Sequence, residues 1–402
     1  MSEDEHKNAE FRVPGFLANG IAVGIKEEGI RDLSLIFSEV PATAAALFTT
    51  NCFKAAPVLL DIDRIEQGVA QAIIANSGNA NASTGSEGYS DVLKMSRAVS
   101  GRLGIDDNLV LVASTGVIGQ KLPVGRIIDG IDELVDGLHE DGITDAQQAI
   151  MTTDKFAKME IRKTRVSDRE ITVCGIAKGA GMIAPHMATM LSFIMTDIRI
   201  DKESLDKIFK RTVDKSFNAI SVDGCMSTND TVLVLANGCA GNAELKGASR
   251  DMVIFCEALE SVMTGLAKSI VRDGEGATKV IEINVTHARS KKDAKAVAYG
   301  IANSNLVKTA FFGKDPNWGR IIAAVGSSGV RVSTDSVELY FDDTPIFLRG
   351  VGVAKDDEKL SYIMKQQCIA MTVNLRMGNK SFRLYTSDLS YEYVTINAHY
   401  RT

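Results

Sequence analysis

The stretch GIAKGAGMIAPHMATMLSFIM, residues 175–195, is the most distinctive part of the sequence. Glycine and other small residues give way abruptly to Thr189, which leads the apolar run MLSFIM. Taken alone, a threonine in this position is typical of the start of a buried strand, where its side chain caps a turn or packs. A chemical role is the alternative, and the rest of the chain has to decide between them.

Thr189 could act as a nucleophile only with a base beside it, because the pKa of its hydroxyl lies far above neutrality. One known arrangement frees the α-amino group of the threonine itself by cutting the preceding peptide bond. An α-amine has a pKa of roughly 7.7 to 8.0 in model peptides, so it can accept a proton near neutral pH. Cleavage of the peptide bond before Thr189 would therefore give this threonine its own base.

Length and composition place the chain among ordinary globular proteins. Its 402 residues are 45% apolar and 24% charged, so we expect two domains or one large layered domain with a smaller partner. No stretch approaches the roughly 20 uninterrupted apolar residues of a membrane span. The first residues, MSEDEHKNAEFRV, have neither the basic nor the apolar region of a secretory signal. A cytoplasmic location is predicted.

The charge distribution argues against a nucleic-acid-binding protein, and the spacing of cysteines and histidines argues against a metalloprotein. The net charge of -6 is dispersed along the chain, which favours solubility and disfavours a nucleic-acid partner. The cysteines form no CxxC pair and the histidines no HxxxH or HxH pair, so we expect reduced cysteines and no metal site. These residues are Cys52, Cys174, Cys225, Cys239, Cys256 and Cys368, and His6, His139, His186, His287 and His399.

Hydrophobic patterning predicts a mixed α and β chain. Residues 69–75 and 108–113 are short β-branched runs that stop at small polar residues, as buried strands do. Residues 86–103, between them, are predicted to be helical. Apolar positions three and four apart over 124–140 predict one amphipathic helix. Further helices are expected near 202–215 and 250–270.

Beyond about residue 280 the chain is predicted to be rich in strands. The runs VIEINVTHA, VELYFDDTPIFL and FRLYTSDLSYEYVTINA alternate apolar with polar residues. A charge cluster near the first run could open a helix, but such clusters more commonly form a solvated face. Its members are Lys291, Lys292, Asp293 and Lys295. The single Trp318 is expected to pack at a subunit or domain contact.

Two glycine-containing segments are not cofactor motifs. GEGATK, residues 274–279, lacks the GxxxxGK[ST] spacing of a phosphate-binding loop, and NSGNANASTG, residues 76–85, is no dinucleotide fingerprint. The glycines of GEGATK more commonly let backbone approach a substrate. We therefore predict no cofactor.

The segment MIAPHMATML around Thr189 resembles the self-cleavage segment of the ornithine acetyltransferases, the family of bifunctional glutamate N-acetyltransferases in arginine biosynthesis. Other segments resemble this family and occur in its order: NSGNANASTG (76–85), STGVIG (114–119), MTTD (151–154), SFNAISVDG and STND (within 216–230), GEGATK (274–279), FFGKDPNWGR (311–320) and the terminal INAHYRT. Because the matches run in order through the chain, they favour a nucleophilic Thr189 over a structural one.

The resemblance implies autocatalytic cleavage. Thr189 Oγ would attack the carbonyl of Ala188, an N-to-O acyl shift would form an ester, and water would release chains 1–188 and 189–402. The resemblance also implies an α/β (α+β) fold, a four-layer α-β-β-α sandwich of the self-processing threonine-nucleophile type. About 189–280 would complete the sandwich, and about 281–402 would form a smaller C-terminal α+β region.

The resemblance further implies a ping-pong transfer of acetyl between amino acids. Thr189 would accept acetyl from N-acetylornithine, ornithine would leave, and glutamate would attack the acetyl-enzyme. Each half-reaction passes through a tetrahedral oxyanion, and the resemblance assigns the oxyanion hole to Thr115 and Gly116. A strand that ends in Ser-Thr-Gly suits a backbone amide presented to a site, although the tripeptide alone is typical of an ordinary turn.

Both substrates carry an α-carboxylate and an amine, so the site requires a cation for one group and carboxylates or amides for the other. Lys178, eleven residues before Thr189, fits the cation. Further substrate contacts are assigned by the resemblance to Thr152, Glu275, Asn397 and Thr402. Taken alone, each has an ordinary explanation, such as a solvated charge, a turn cap or a frayed terminus.

Two positions depart from the family pattern. An asparagine more commonly stands where this chain has His186, and an acidic residue where it has Cys225. His186 could assist proton transfer during cleavage, but a structural turn histidine is the more ordinary interpretation. Cys225 is expected to be a small buried residue rather than a second nucleophile.

Several alternatives stay open at this stage. The enzyme could be monofunctional, or bifunctional with acetyl-CoA as a second acetyl donor. It could instead be an aminopeptidase or amidase of the related self-processing hydrolases, although Lys178, Asn397 and the terminal YRT favour a transferase, since a hydrolase holds no acceptor. A noncatalytic protein on this scaffold would be expected to lack Thr189 or the Ser-Thr-Gly turn. The two chains are expected to associate as a heterotetramer.

Overall fold

The computed structural model describes residues 11–184, 190–353 and 357–399, which form two mixed sheets with packed helices. The elements up to the middle of the chain are β1 (Phe16–Ile21), β2 (Leu33–Phe48), α1 (Ala56–Ile65), β3 (Val69–Asn79), α2 (Gly85–Leu103), β4 (Val110–Val117), α3 (Val124–Asp129), α4 (Ile131–Asp136), α5 (Ile143–Ile150), β5 (Lys158–Val166), β6 (Arg169–Lys178), β7 (Leu191–Thr196) and α6 (Lys202–Val213). They are followed by β8 (Ile220–Ser221), β9 (Thr231–Ala236), α7 (Arg250–Arg272), β10 (Val280–Ala288), α8 (Lys291–Ala302), α9 (Asn305–Phe312), α10 (Trp318–Gly326), β11 (Glu338–Phe341), β12 (Thr344–Leu348), β13 (Val351–Gly352), α11 (Asp357–Lys365), β14 (Cys368–Asn374), β15 (Lys380–Ser387) and α12 (Tyr391–His399).

The first sheet is a single hydrogen-bonded surface that passes from one layer to another. Its strand order is β4-β3-β2-β9-β7-β6-β5, with β1 also on β2. The first part of β2 pairs with β1 and β3, and its last part pairs with β9. Between these parts the pairing register shifts, and residues 39–41, which include Pro41, are exposed. A proline is tolerated at such an irregularity because it has no N–H for the ladder.

Alternate side chains of these strands enter different apolar cores, and this creates four layers. In β3, Ile73 faces a core between the two halves of the sheet, while Ile74 faces a core shared with α2. In β9, Leu233 faces the same central core, while Val234 faces a third core with α6 and α7. The order is therefore helix, sheet, sheet, helix, which confirms the predicted four-layer sandwich.

The edge strand β4 is covered by helix α1. The carboxylate of Asp61 accepts the backbone N–H of Val112, and the guanidinium of Arg64 donates to the carbonyl of Val110. Both side chains are buried. They satisfy backbone groups that an uncovered sheet edge would offer to another chain.

The second sheet forms the C-terminal part of the fold. Its strand order is β13-β12-β11-β14-β10-β15-β8, with β10 parallel to β14 and antiparallel to β15. A separate apolar core joins this sheet to helices α8 to α11. Strand β8 comes from the middle of the chain and pairs in parallel with β15, so the two parts of the fold meet beside Ser221.

Helix ends follow local capping chemistry. Ser249 accepts the backbone N–H of Met252 and Ser290 accepts that of Asp293, which places the starts of α7 and α8. The charge cluster at 291–295 therefore begins a helix, and its Lys291 and Lys292 are exposed to solvent. Helix α2 ends at Gly104, whose φ of 69° is favourable for glycine.

Most predicted elements are confirmed, with two corrections. The strands at 69–75 and 108–113 and the helices near 86–103, 202–215 and 250–270 are present. The helix predicted over 124–140 is interrupted at Gly130, where a side chain would lie 2.5 Å from a methyl carbon of Val23.

The second correction concerns the last predicted strand. The run 382–398 is strand only to Ser387 and then becomes helix α12. None of the residues of α12 whose burial is described is buried, so no core imposed a helical period on its sequence. Trp318 packs on Phe347 within the C-terminal part, with ring centroids 5.4 Å apart. Within the described ranges, no helix combines the length and apolarity to cross a membrane.

We predict that Leu259→Ala, in the centre of α7, lowers stability strongly. Leu259 is fully buried in the core under α7, and truncation of such a side chain typically costs about 2–5 kcal/mol because a cavity remains. Val253→Ala on the same helix is the matched control, since Val253 is 55% exposed. Urea unfolding followed by circular dichroism should show a lower midpoint for Leu259→Ala alone. Equal midpoints would contradict the position of this core.

Candidate active site

A cavity of about 130 Å³ lies where the sandwich meets the C-terminal part. Its wall includes all the predicted site residues that the structure describes: Thr115, Gly116, Thr152, Lys178, Glu275 and Asn397. It is completed by Ala80, Ile118, Thr153, Ala180, Gly181, Met182, Asp223, Cys225, Ser227, Asn229 and Tyr393. Groups far apart in the sequence therefore converge on one space.

Gly116 is fixed by the parallel pairing of β3 with β4. Gly78 lies opposite it in the register, and a Cβ on Gly116 would lie 2.3 Å from the carbonyl carbon of Gly78. The φ of 133° is also unfavourable for any residue with a side chain. Asn229 supports the same turn, because its amide donates to the carbonyls of Ala80 and Ser114 at 2.6 and 2.8 Å.

Lys178 ends strand β6 inside the protein, with 3% of its surface exposed. Its ammonium donates to the hydroxyl oxygens of Thr115 at 3.1 Å and Thr152 at 2.7 Å. Burial lowers the pKa of this ammonium below its usual value, although the negative charges of Asp154 and Glu275 oppose the effect. The lysine thus joins two predicted site residues.

Three buried charges stand behind Lys178. The ammonium of Lys158 lies 2.6 Å from a carboxylate oxygen of Asp154 and 2.5 Å from one of Asp273, and none of these side chains is exposed. Burial alone would raise the pKa of Asp154, but the charges of Lys178 and Lys158 outweigh it and hold that pKa below its usual range. At Asp273 burial prevails, and the pKa of its carboxyl is raised.

Glu275 and Asn397 are in direct contact on the cavity wall. The amide of Asn397 donates to Glu275 Oε2 at 2.8 Å and also to the carbonyl of Tyr393 at 2.9 Å. Glu275 is 7% exposed, and a side chain on Gly181 would lie 2.3 Å from its carboxylate oxygen. A side chain at Gly181 would therefore have to displace this carboxylate.

The carboxylate of Asp223 holds several parts of the cavity wall together through hydrogen bonds. Its carboxylate accepts the backbone N–H groups of Met182 and Ile183 at 2.6 and 2.9 Å, and the hydroxyl of Tyr393 at 3.3 Å. Cys225 follows and is exposed, so the expectation of a buried cysteine was wrong. Partial burial and the charge of Asp223 raise the pKa of its thiol, which makes the thiol a weak nucleophile at neutral pH.

Several predicted residues lie outside the described part of the chain. These are Ala188, Thr189, His186 and Thr402. The described chain before residues 185–189 passes the cavity, and the chain after them begins at a buried carboxylate. Met182 lines the cavity, and the backbone N–H of Met190 donates to the buried carboxylate of Asp230 at 2.9 Å. Burial raises the pKa of Asp230 well above its usual value.

Sequence reasoning missed most of the supporting residues. Asp154, Asp223 and Asp230 stand inside the motifs MTTD, SVDG and STND. The motifs were recognised, but these aspartates were assigned no role. Three more supporting residues lie outside the quoted motifs, and only the fold places them near the cavity: Lys158, Asp273 and Tyr393. Among the residues described, no group of histidine, cysteine, aspartate and glutamate side chains is arranged to hold a metal ion.

We predict that Gly116→Ala disrupts this turn. The added methyl group would meet backbone rather than a movable side chain, and overpacking of this kind typically costs about 1–3 kcal/mol. Gly125→Ala in α3 is the control, because no atom lies within 4 Å of its added carbon. Thermal unfolding should show a lower midpoint for Gly116→Ala and no loss for the control. An unchanged midpoint for both would contradict the close approach of β3 and β4.

Comparison with known proteins agrees with the motifs. The family model described as ArgJ family matches residues 17–402. The arginine biosynthesis bifunctional protein ArgJ of Geobacter sulfurreducens is 50% identical over 393 residues, covering 98% of this chain and all of that protein. The protein of the same name from Caldanaerobacter subterraneus subsp. tengcongensis is 47% identical, covering 96% of this chain and 97% of that protein.

A solved structure adds a match in three dimensions. The crystal structure of arginine biosynthesis bifunctional protein ArgJ from Bacillus halodurans is 40% identical, with a TM-score of 0.51. The match covers 53% of this chain and 100% of that chain. The resemblance drawn from the sequence motifs is thereby confirmed, and the chain belongs to the ArgJ family.

Proposed function

We propose that this chain is an acetyltransferase of arginine biosynthesis that moves acetyl from N-acetylornithine to glutamate through an acetyl-enzyme at Thr189. The observation that carries the proposal is the convergence of Thr115, Gly116, Lys178 and Glu275 on one cavity, in a chain whose full-length relatives are named arginine biosynthesis bifunctional proteins. A cavity of about 130 Å³ has the volume of about four waters in the liquid, at roughly 30 Å³ each. This space suits one amino acid at a time, as a ping-pong reaction requires.

The nucleophile is proposed to be Thr189, freed by cleavage after Ala188. Its new α-amine would act as the base that takes the hydroxyl proton. The crystal chain from Bacillus halodurans supports this, because it is matched in full yet corresponds to 53% of this chain. A fragment that begins at Thr189 would likewise be just over half of the chain.

The strand order supports a stable association of the two fragments, 1–188 and 189–402. Strands β7 and β9 of the second fragment lie between β6 and β2 of the first in one sheet. Separation would break two hydrogen-bonded ladders and expose the central core. We therefore propose that cleavage leaves the fold intact. We also propose that two such pairs form a heterotetramer and that the enzyme works in the cytoplasm.

Thr115 and Gly116 are proposed to stabilise the tetrahedral oxyanion. Because the hydroxyl oxygen of Thr115 accepts a hydrogen bond from Lys178, its own proton is left to donate elsewhere. A hydroxyl that accepts from a cation is a stronger donor. Removal of one oxyanion donor typically costs about 10²–10³ in kcat.

The substrate groups are proposed to lie between opposite charges. Lys178 and Thr152 would bind the α-carboxylate, as a buried cation and a hydroxyl can. Glu275, oriented by the amide of Asn397, would accept the side-chain ammonium of ornithine. Thr402 is proposed as a further substrate contact.

We predict that Thr189→Ala abolishes both self-cleavage and acetyl transfer, because it removes the attacking oxygen while keeping the size of the site. A denaturing gel with intact mass should show two fragments split between Ala188 and Thr189 for the unaltered protein, which copurify under native conditions. The variant should remain a single chain. Thr189→Ser is the matched control, since it keeps a hydroxyl and should still cut, at a changed rate.

An uncut protein of full activity would contradict the role of Thr189 and return attention to a noncatalytic or hydrolytic protein. The hydrolytic alternative is separated by the products. If N-acetylornithine is deacetylated at the same rate with and without glutamate, and no N-acetylglutamate forms, then water is the acceptor and the chain is an amidase.

We also predict that acetyl-CoA serves as a second acetyl donor, as the word bifunctional in the names of both relatives suggests. The measurement is N-acetylglutamate formation from glutamate with acetyl-CoA as the sole donor. It should depend on Thr189 and give parallel lines in double-reciprocal plots, since one acetyl-enzyme serves both donors. Activity with N-acetylornithine but none with acetyl-CoA would define a monofunctional enzyme.

A further inference from the structure

Asp154 lies behind the cavity wall and holds two of the groups that form it. One carboxylate oxygen accepts the backbone N–H of Gly179 at 2.8 Å, directly after Lys178. The other accepts the backbone N–H of Thr152 at 2.9 Å. The lysine and threonine that share the 2.7 Å hydrogen bond are therefore clamped from one side by a single carboxylate.

Lys158 fixes the clamp in turn. Its ammonium bridges Asp154 and Asp273, and its aliphatic part lies in β5 with no exposed atom. Asp273 also accepts the backbone N–H of Lys155 at 2.9 Å. None of these three charged residues lines the cavity, so they act on substrate only through Lys178 and Thr152.

Charged groups of both signs surround Lys178. Carboxyl groups face it from Asp154 in the loop before β5, from Asp230 before β9 and from Glu275 after α7. Positive charges face it from Lys158 in β5 and from Lys26 after β1. Asp223, Cys225 and Tyr393 complete the titratable groups of the cavity wall. Among the carboxyl groups, Asp154 opposes the effect of burial on Lys178 most strongly.

We propose that Asp154 and Lys158 are positioning residues: together they hold Lys178 and Thr152 in place at the carboxylate end of the cavity, and their opposite charges adjust the charge state of Lys178. Asp154 favours the charged lysine and Lys158 opposes it, so the pair sets the pH range over which the site binds an anionic substrate. The inference rests on the proposed function, in which Lys178 binds the α-carboxylate.

The two residues have opposite expected effects on the pH profile. Binding requires the protonated lysine, so kcat/KM for N-acetylornithine falls as the pH rises through the pKa of Lys178. Asp154→Asn removes a negative charge and should move this basic limb to lower pH by about one unit. Lys158→Met removes a positive charge and should move the limb to higher pH. General damage to the fold cannot move the limb in opposite directions.

The experiment measures kcat/KM for N-acetylornithine against pH for the cleaved enzyme and both variants. Asp168→Asn is the matched control, because Asp168 is an exposed residue in the turn between β5 and β6 and should leave the limb in place. If Asp154→Asn does not accumulate as folded protein, Asp273→Asn removes a negative charge one step further away and should give a smaller shift in the same direction.

Coincident limbs for all variants, or shifts of Asp154→Asn and Lys158→Met in the same direction, would overturn the inference. Failure of the underlying proposal looks different. If Lys178→Met keeps the KM values of the unaltered enzyme for N-acetylornithine and glutamate, then Lys178 does not bind the carboxylate at all. If Lys178→Met raises both KM values, but the basic limbs of Asp154→Asn and Lys158→Met coincide with that of the unaltered enzyme, then the lysine binds substrate without help from Asp154.

Discussion

The buried contact of Lys158 with Asp154 and Asp273 is the constraint on which the cavity depends. It ties together the loop that carries Thr152 and the end of α7, two residues before Glu275. The proposed carboxylate end and the proposed amine end of the site are thus held at one distance. Removal of a partner from such a buried pair typically costs about 3–5 kcal/mol, since a charge is left unpaired. The site and the fold therefore share the same ionic cluster.

The rest of the site is built from two parts of the fold with different kinds of support. The sandwich supplies Thr115, Gly116 and Lys178 from the ends of β4 and β6, and three apolar cores hold those strands. The C-terminal part supplies Asn397 from α12, which is attached chiefly through polar contacts with Glu275, Asp223 and Gly276. Rigid strands thus carry the proposed oxyanion groups, and a surface helix carries one proposed substrate contact. This helix is the part of the site with the least packing behind it.

The motif matches in the sequence predicted the family and the cavity-lining residues Thr115, Gly116, Thr152, Lys178, Glu275 and Asn397, because each stands in a recognisable local pattern. The support behind them could not be predicted in the same way. Lys158 and Asp273 are ordinary charged residues in local terms and meet across 115 positions of sequence, so no periodicity or spacing reveals them. Helix α12 escaped prediction because its side chains meet no core. The exposure of Cys225 depends on the turn at Asp223, which local pattern does not specify.

A direct test of the central claim is to look for the acetyl-enzyme itself. The cleaved protein is mixed with N-acetylornithine in the absence of glutamate, quenched in acid and examined by mass spectrometry of its fragments. The fragment that begins at Thr189 should carry one additional acetyl group, located on Thr189, and glutamate added before the quench should remove it and yield N-acetylglutamate. An acetyl group on another residue such as Cys225, or turnover with no acetylated fragment under any quench, would contradict the account.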